Sequence, residues 1–135
     1  MSAASVTVLP RRTPPSILVV EGDARLRCLV SDELRAISFK VVEAGSAREA
    51  LTVLDAVRFD LLFLDLDLEP AGIGWEVVHR LHGHHPPIGI IGASRAADTM
   101  EKLDGLGPCI RKPYPIPQVI DLVTRRLNWP QAPEA

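Results

Sequence analysis

The stretch "LLFLDLDLEP", residues 61–70, decides the fold class. Four apolar side chains run into Asp65, one leucine follows, and Asp67 offers a second carboxylate. In a strand, alternate residues point to opposite faces. Leu61, Phe63, Asp65 and Asp67 therefore share one side, and Leu62, Leu64, Leu66 and Leu68 the other. Both sides are apolar up to Asp65, which marks a strand buried on both faces. An unpaired charge is costly to desolvate at such a place, so the two acids at the strand's end raise the question of what compensates them.

Working outward, "SILVVEGD" opens the folded part with a short β-branched strand, Ile17 to Val20, bounded by a glycine. A helix follows: Asp23 can cap it, and Leu26, Leu29, Val30, Leu34 and Ile37 recur at helical spacing. "KVVEA" is a second strand. Ser46 and Glu49 form a capping box ahead of Ala47, Ala50, Leu51 and Leu54. After the third strand, Trp75, Val77, Val78 and Leu81 stripe a third helix that breaks at Gly83 and the Pro86–Pro87 pair. "IGII" is the fourth strand, and a weak helix spans Ala96 to Leu106. "CIR" is the fifth strand, and Ile116, Val119, Ile120, Val123 and Leu127 stripe a last helix. Strands alternating with helices imply right-handed crossovers and a parallel sheet covered on both faces. In such sheets ligands gather beyond the carboxyl ends of the strands. Asp65 and Asp67 lie there, with Glu21, Gly22 and Asp23, with Gly92 and Ser94, and with Lys112.

The 135 residues, 47% hydrophobic and 24% charged, suffice for one core and leave little room for a second. A formal net charge of -2 gives no electrostatic reason to expect nucleic-acid or membrane binding. Cys28 and Cys109 lack metal-site or disulfide-framework spacing, which favours a reducing cytosol. No run approaches the ~20 apolar residues of a membrane span, and the first residues lack the apolar core of an export signal. The expected organisation is a flexible leader over 1–15, a folded domain over 16–127 and a flexible tail over 128–135.

Carboxylates converging beside one lysine suit a hard divalent cation and a transferable phosphoryl group. Mg²⁺ is the natural choice, since it takes one or two carboxylates together with waters and phosphate oxygens. Four segments then make the resemblance specific: "ILVVEGD", "FDLLFLD", "GWEVVHRL" and "IRKPY". The chain resembles a bacterial response-regulator receiver domain, the phosphoacceptor of two-component signalling, over Ser16 to Leu127. That resemblance implies a flavodoxin-like (βα)5 sheet in strand order 2-1-3-4-5 and a signalling domain rather than an enzyme. It implies phosphorylation of Asp65 by a histidine kinase or phosphotransfer protein, with Lys112 contacting the phosphoryl group. Glu21 matches an acid of the metal site, and Asp67 matches the position whose backbone carbonyl binds the cation. Output passes to a downstream protein through the face of helix 4, strand 5 and helix 5, and a homodimer is left open.

Departures from the family pattern are equally specific. Gly22 stands where a second acid binds the metal, so Mg²⁺ binding is expected to be weak, and rescue by the adjacent Asp23 needs a local bend. Gly92 aligns with the hydroxyl residue that binds the phosphoryl oxygen, with Ser94 two residues late. Cys109 replaces the switch aromatic. The loop after Asp65 is one residue longer than the common family pattern, which places Pro70 and Gly74 each one position late. These positions support an alternative, a pseudo-receiver that binds a partner without phosphate; the bland reading makes Gly22 and Gly92 turn glycines at positive φ. "DLDLE" also resembles the nucleophile motif of haloacid-dehalogenase-type phosphatases, although that strand comes third here rather than first. His79, His82, His84 and His85 read as solvated residues more readily than as a metal cluster. Trp75 and Trp129 read as packing or partner-contact residues, and Cys28 as small core filling.

Overall fold

The structure is a computed structural model that describes residues 13–81, 87–103 and 105–129. Strands β1 (Ser16–Val20), β2 (Lys40–Ala44), β3 (Leu61–Asp65), β4 (Gly89–Ser94) and β5 (Cys109–Arg111) alternate with five helices. These are α1 (Ala24–Ala36), α2 (Ala47–Ala56), α3 (Ile73–Leu81), α4 (Ala97–Lys102) and α5 (Ile116–Leu127). All four ladders are parallel, in the order β2-β1-β3-β4-β5. The flavodoxin-like order that the resemblance implies is the one observed.

The alternation of "LLFLDLDLEP" builds two cores. Leu62, Leu64, Leu66 and Leu68 pack with Leu18 and Val20 beneath Ala50 and Leu54 of α2 and Val77 and Val78 of α3. Leu61 and Phe63 pack with Ile17, Val19 and Ile91 against Val30 and Leu34 of α1 and Val119 and Val123 of α5. Every residue of β3 is buried. Ser46 caps α2 by accepting from the Glu49 amide at 3.1 Å, while Glu49 Oε1 accepts from the Gly45 amide. That is the capping box with its return bond shifted one residue outward.

Three local expectations change. β4 runs on to Ser94, beyond "IGII", because its ladders with β3 and β5 continue through Asp65–Ala93 and Ser94–Arg111. The helix expected from Ala96 to Leu106 is only α4, Ala97–Lys102, after which Leu103 turns fully into the core. Cys28 is exposed rather than buried, with Sγ 3.5 Å from Asp32 Oδ2, and Leu29 is half exposed as well. The buried face of α1 falls instead on Val30, Ser31 and Leu34.

At the chain ends of the described region, Pro15 and Trp129 are engaged with the fold. The Pro15 carbonyl accepts from the Lys40 amide at 3.0 Å. Asn128 closes α5 in the left-handed conformation, and the Trp129 ring packs against Phe39 with centroids 5.9 Å apart. Residues 1–12 of the expected leader, 130–135 of the expected tail, and His82, His84 and His85 lie outside the described residues. His79 is exposed on α3 and Trp75 half-buried against the first core.

Candidate functional site

The strand order reverses between β1 and β3, and the chain places its acids there. Glu21 follows β1 directly, and its amide donates to the Ala44 carbonyl of β2. Asp65 is the last residue of β3, in register with Ala93. Lys112 follows β5, and its amide donates to the Ser94 carbonyl. Each side chain therefore leaves a backbone already fixed by its neighbouring strand.

The result is a buried ionic cluster. Lys112 Nζ lies 2.8 Å from Asp65 Oδ1 and 3.0 Å from Glu21 Oε1. All three residues are less than a tenth exposed. The approach to Glu21 is an ion-pair contact, and among the described residues Glu21 Oε1 has no hydrogen-bond donor. The other carboxylate oxygens are held by backbone amides: Asp65 Oδ1 by Asp67 at 2.8 Å, Asp65 Oδ2 by Gly22 at 3.3 Å, and Glu21 Oε2 by Asp23 at 3.0 Å.

These contacts separate the two acids. Burial works to raise the Asp65 carboxyl, but Lys112, Glu21 and the Asp67 amide outweigh it and hold Asp65 below the usual range. For Glu21, burial dominates and raises it, with Asp65 adding in the same direction against the Asp23 amide. Burial opposes the charge on Lys112, yet the facing carboxylates of Asp65 and Glu21 prevail and raise it. Asp65 is thus the more readily ionised of the two acids and Glu21 the one that protonates first.

Asp67 serves the neighbouring loop. Its Oδ1 accepts from the Ser94 hydroxyl at 2.8 Å and its Oδ2 from the Arg95 amide at 2.9 Å. Ser94 Oγ in turn accepts from the Ala96 amide. The Ser94 hydroxyl is therefore committed to Asp67. Asp23 caps α1, its Oδ1 accepting from Arg25 and Leu26, and it also lines the cavity over the cluster. Strand alternation does not turn it away, because β1 stops at Val20.

The cavity has a volume of about 640 Å³ and brings together Glu21, Gly22, Asp23, Asp65, Asp67 and Lys112. Among the described residues, no three His, Cys, Asp or Glu side chains form a metal-holding group. What is gathered is a pair of carboxylates with an orphaned acceptor, a set suited to a cation that keeps most of its waters, as Mg²⁺ does. A Cβ at Gly22 would stand 3.7 Å from Asp65 Oδ2 and 3.5 Å from Leu68 Cδ2, so a side chain there has room to begin beside Asp65.

Gly92 does not face Asp65. It pairs with Leu64 and Cys109, and a Cβ on it would lie 2.5 Å from Leu103 Cδ2 and 2.9 Å from Leu66 Cδ1. The residue beside Asp65 is Ala93, which carries no hydroxyl. Neither Gly22 nor Gly92 has positive φ; among the described residues, Gly72 and Gly105 are the glycines that do. Cys109 is half-buried beside Gly92, and burial, with the Asp67 charge, pushes its thiol up.

Sequence reasoning missed two residues at the site. Arg27 Nη1 donates to the Glu21 carbonyl at 2.8 Å while its Nε stands 3.6 Å from Glu43, tying the end of β1 to α1 and β2. Tyr114 lines the cavity with its hydroxyl buried. The signal for Tyr114 was its place in "IRKPY", two residues past Lys112; Arg27 had none beyond its helical position.

A doubly wound α/β domain with an acid–lysine cluster at its switch point is the class this geometry defines. The sequence model of the family described as "Response regulator receiver domain" matches residues 17–124. The chain belongs to that family, and the phosphatase resemblance gives way to it. Among curated relatives, it is 30% identical over 109 residues to the "Response regulator receiver protein Anae109_2439" of Anaeromyxobacter sp., covering 78% of this chain and 45% of that one. The chain spans less than half the length of the curated relatives it matches. Among solved structures, a CheY-like receiver domain protein from Methanospirillum hungatei aligns with a TM-score of 0.76 at 21% identity, over 86% of this chain and 95% of that one. The chemotaxis response regulator CheY4 of Vibrio cholerae aligns with a TM-score of 0.73 at 21% identity, over 84% and 99%. At such identity the structural likenesses speak to the fold.

Proposed function

We propose that this receiver accepts a phosphoryl group on Asp65 from a histidine kinase or phosphotransfer protein and passes the signal on through protein contacts. The observation that carries the reading is Lys112 Nζ at 2.8 Å from a buried Asp65 with Glu21 beside it. In the transfer, an Asp65 carboxylate oxygen forms the new bond to phosphorus. The phosphorus–nitrogen bond of the phosphohistidine breaks, and its electron pair returns to the imidazole. Lys112 offsets the charge arriving on Asp65, and Glu21, Asp65 and the Asp67 carbonyl are the groups that would hold Mg²⁺. The cation supplies charge neutralisation at the phosphoryl oxygens. Among the described residues, no helix is long and apolar enough to cross a membrane.

Acetyl phosphate with Mg²⁺, followed by intact mass, tests the reading. A single phosphoryl adduct that disappears in Asp65→Asn is expected. No adduct in the wild type, or one that survives the substitution, overturns it.

Ala93 beside Asp65, and Ser94 held by Asp67, favour a second reading: a binding module whose α4, β5 and α5 face engages its partner without phosphate. Partner affinity unchanged by Asp65→Ala supports that module. Affinity that rises with beryllofluoride counts against it.

A further inference from the structure

Tyr114 sits two residues beyond Lys112, with its ring edge-on to Phe63 at a centroid separation of 5.8 Å. It is 9% exposed, and its hydroxyl has no hydrogen-bond partner among the described residues. Packing against Phe63 accounts for an aromatic ring here but not for the oxygen. A phenylalanine fills the same space without burying an unmet polar group, which is a cost to the fold. Tyr114 lines the cavity with Glu21, Gly22, Asp23 and Asp65. Burial and then the charges of Glu21, Asp65 and Asp23 keep the phenol protonated, so its oxygen is a neutral acceptor as well as a donor.

A hydrated Mg²⁺ ion presents strongly polarised waters, each of which needs an acceptor. Gly22 offers no carboxylate, which leaves one more place in the cation's shell to water. Of the carboxylates that line this cavity, Glu21 Oε1 is ion-paired with Lys112, Asp23 caps α1 through Oδ1, and Asp67 is bonded to Ser94 and Arg95.

We infer that Tyr114 is a positioning residue for the hydrated divalent cation of this site, its phenol oxygen accepting a hydrogen bond from a cation-bound water. The inference rests on the proposed function, in that it takes the Glu21–Asp65 pair to bind such a cation.

The test compares wild type with Tyr114→Phe by calorimetric Mg²⁺ titration and by thermal melting in chelator. The expected result is a Mg²⁺ Kd raised about three- to tenfold, the effect of one hydrogen bond, with a melting temperature in chelator equal to or above that of wild type. In a Gly22→Asp background the effect of Tyr114→Phe is expected to shrink, because a carboxylate replaces the water. Equal Mg²⁺ affinity in the two proteins overturns the inference alone. So does weakened binding together with a lowered melting temperature in chelator, which reads as a packing defect. A wild type that binds no Mg²⁺ overturns both the inference and the cation part of the proposed function.

Discussion

Asp65 and Ala93 stand opposite each other in the β3–β4 ladder, so the neighbour of the candidate acceptor on β4 is a methyl group. Gly92, which alignment by sequence placed there, faces Leu66 and Leu103 in the first core. Two substitutions separate these geometries. Ala93→Ser is expected to raise the initial rate of phosphorylation by acetyl phosphate, because its hydroxyl emerges beside Asp65. Gly92→Thr is expected to leave that rate no higher and to cost about 1–3 kcal/mol of stability by overpacking. Intact-mass time courses and denaturant titrations read both, and a faster rate in Gly92→Thr alone would reverse the assignment.

Gly22→Asp restores a carboxylate where a Cβ meets nothing closer than ordinary contact distance. It is expected to lower the Mg²⁺ concentration for half-maximal phosphorylation by at least threefold. In chelator the same substitution should lower the melting temperature, since a third acid then shares one lysine. An unchanged Mg²⁺ requirement means that the glycine is not the missing ligand position.

Removing Lys112 leaves Glu21 and Asp65 buried without their counter-ion. Lys112→Ala is expected to cost about 3–5 kcal/mol at neutral pH, the usual penalty for orphaning a buried charge. Glu21→Gln in that background should recover part of the loss by removing one of the two negative charges. Urea unfolding of the single and double variants measures both, and a cost below about 1 kcal/mol would mean that the cluster contributes as little as an exposed pair.

Glu21 and Asp65 respond to pH with opposite signs. The native Glu21 carboxyl is raised above its ordinary 4.5, so in the window above 4.5 the folded state binds more protons than the unfolded. Its contribution is complete below that value and is lost as pH rises through the native one. Asp65 is lowered from 3.8, so its contribution is present above 3.8 and is lost as pH falls through its native value. In chelator, wild type is therefore expected to gain stability relative to Glu21→Gln as pH falls from neutral toward about 5. Mg²⁺ affinity should fall over the same window as the proton displaces the cation. Parallel melting curves for the two proteins across that window would contradict the raised Glu21.

The strands and most helices were legible because each rests on a local pattern. β3 is apolar on both sides, Ser46 and Glu49 announce α2, and the spacing of Val119 and Val123 gives the buried face of α5. Cys28 and Leu29 were misread because both fall within an apolar run, and only the angle at which α1 meets the sheet chooses Val30, Ser31 and Leu34. α4 was overextended because nothing local marks where Leu103 leaves the helix to fill the space above Gly92.

The sequence by itself determined the parallel α/β architecture, the strand ends that carry acids and the lysine, and a glycine with no side-chain ligand at residue 22, since each is a matter of period or residue type. Tertiary structure alone decided which side chain stands beside Asp65, that Ser94 belongs to Asp67, and that the Tyr114 hydroxyl is buried without a partner among the described residues. The physical reason is register: a shift of one residue in a parallel ladder turns a side chain to the opposite face of the sheet. That choice is made by packing between segments tens of residues apart, about which no local pattern carries information.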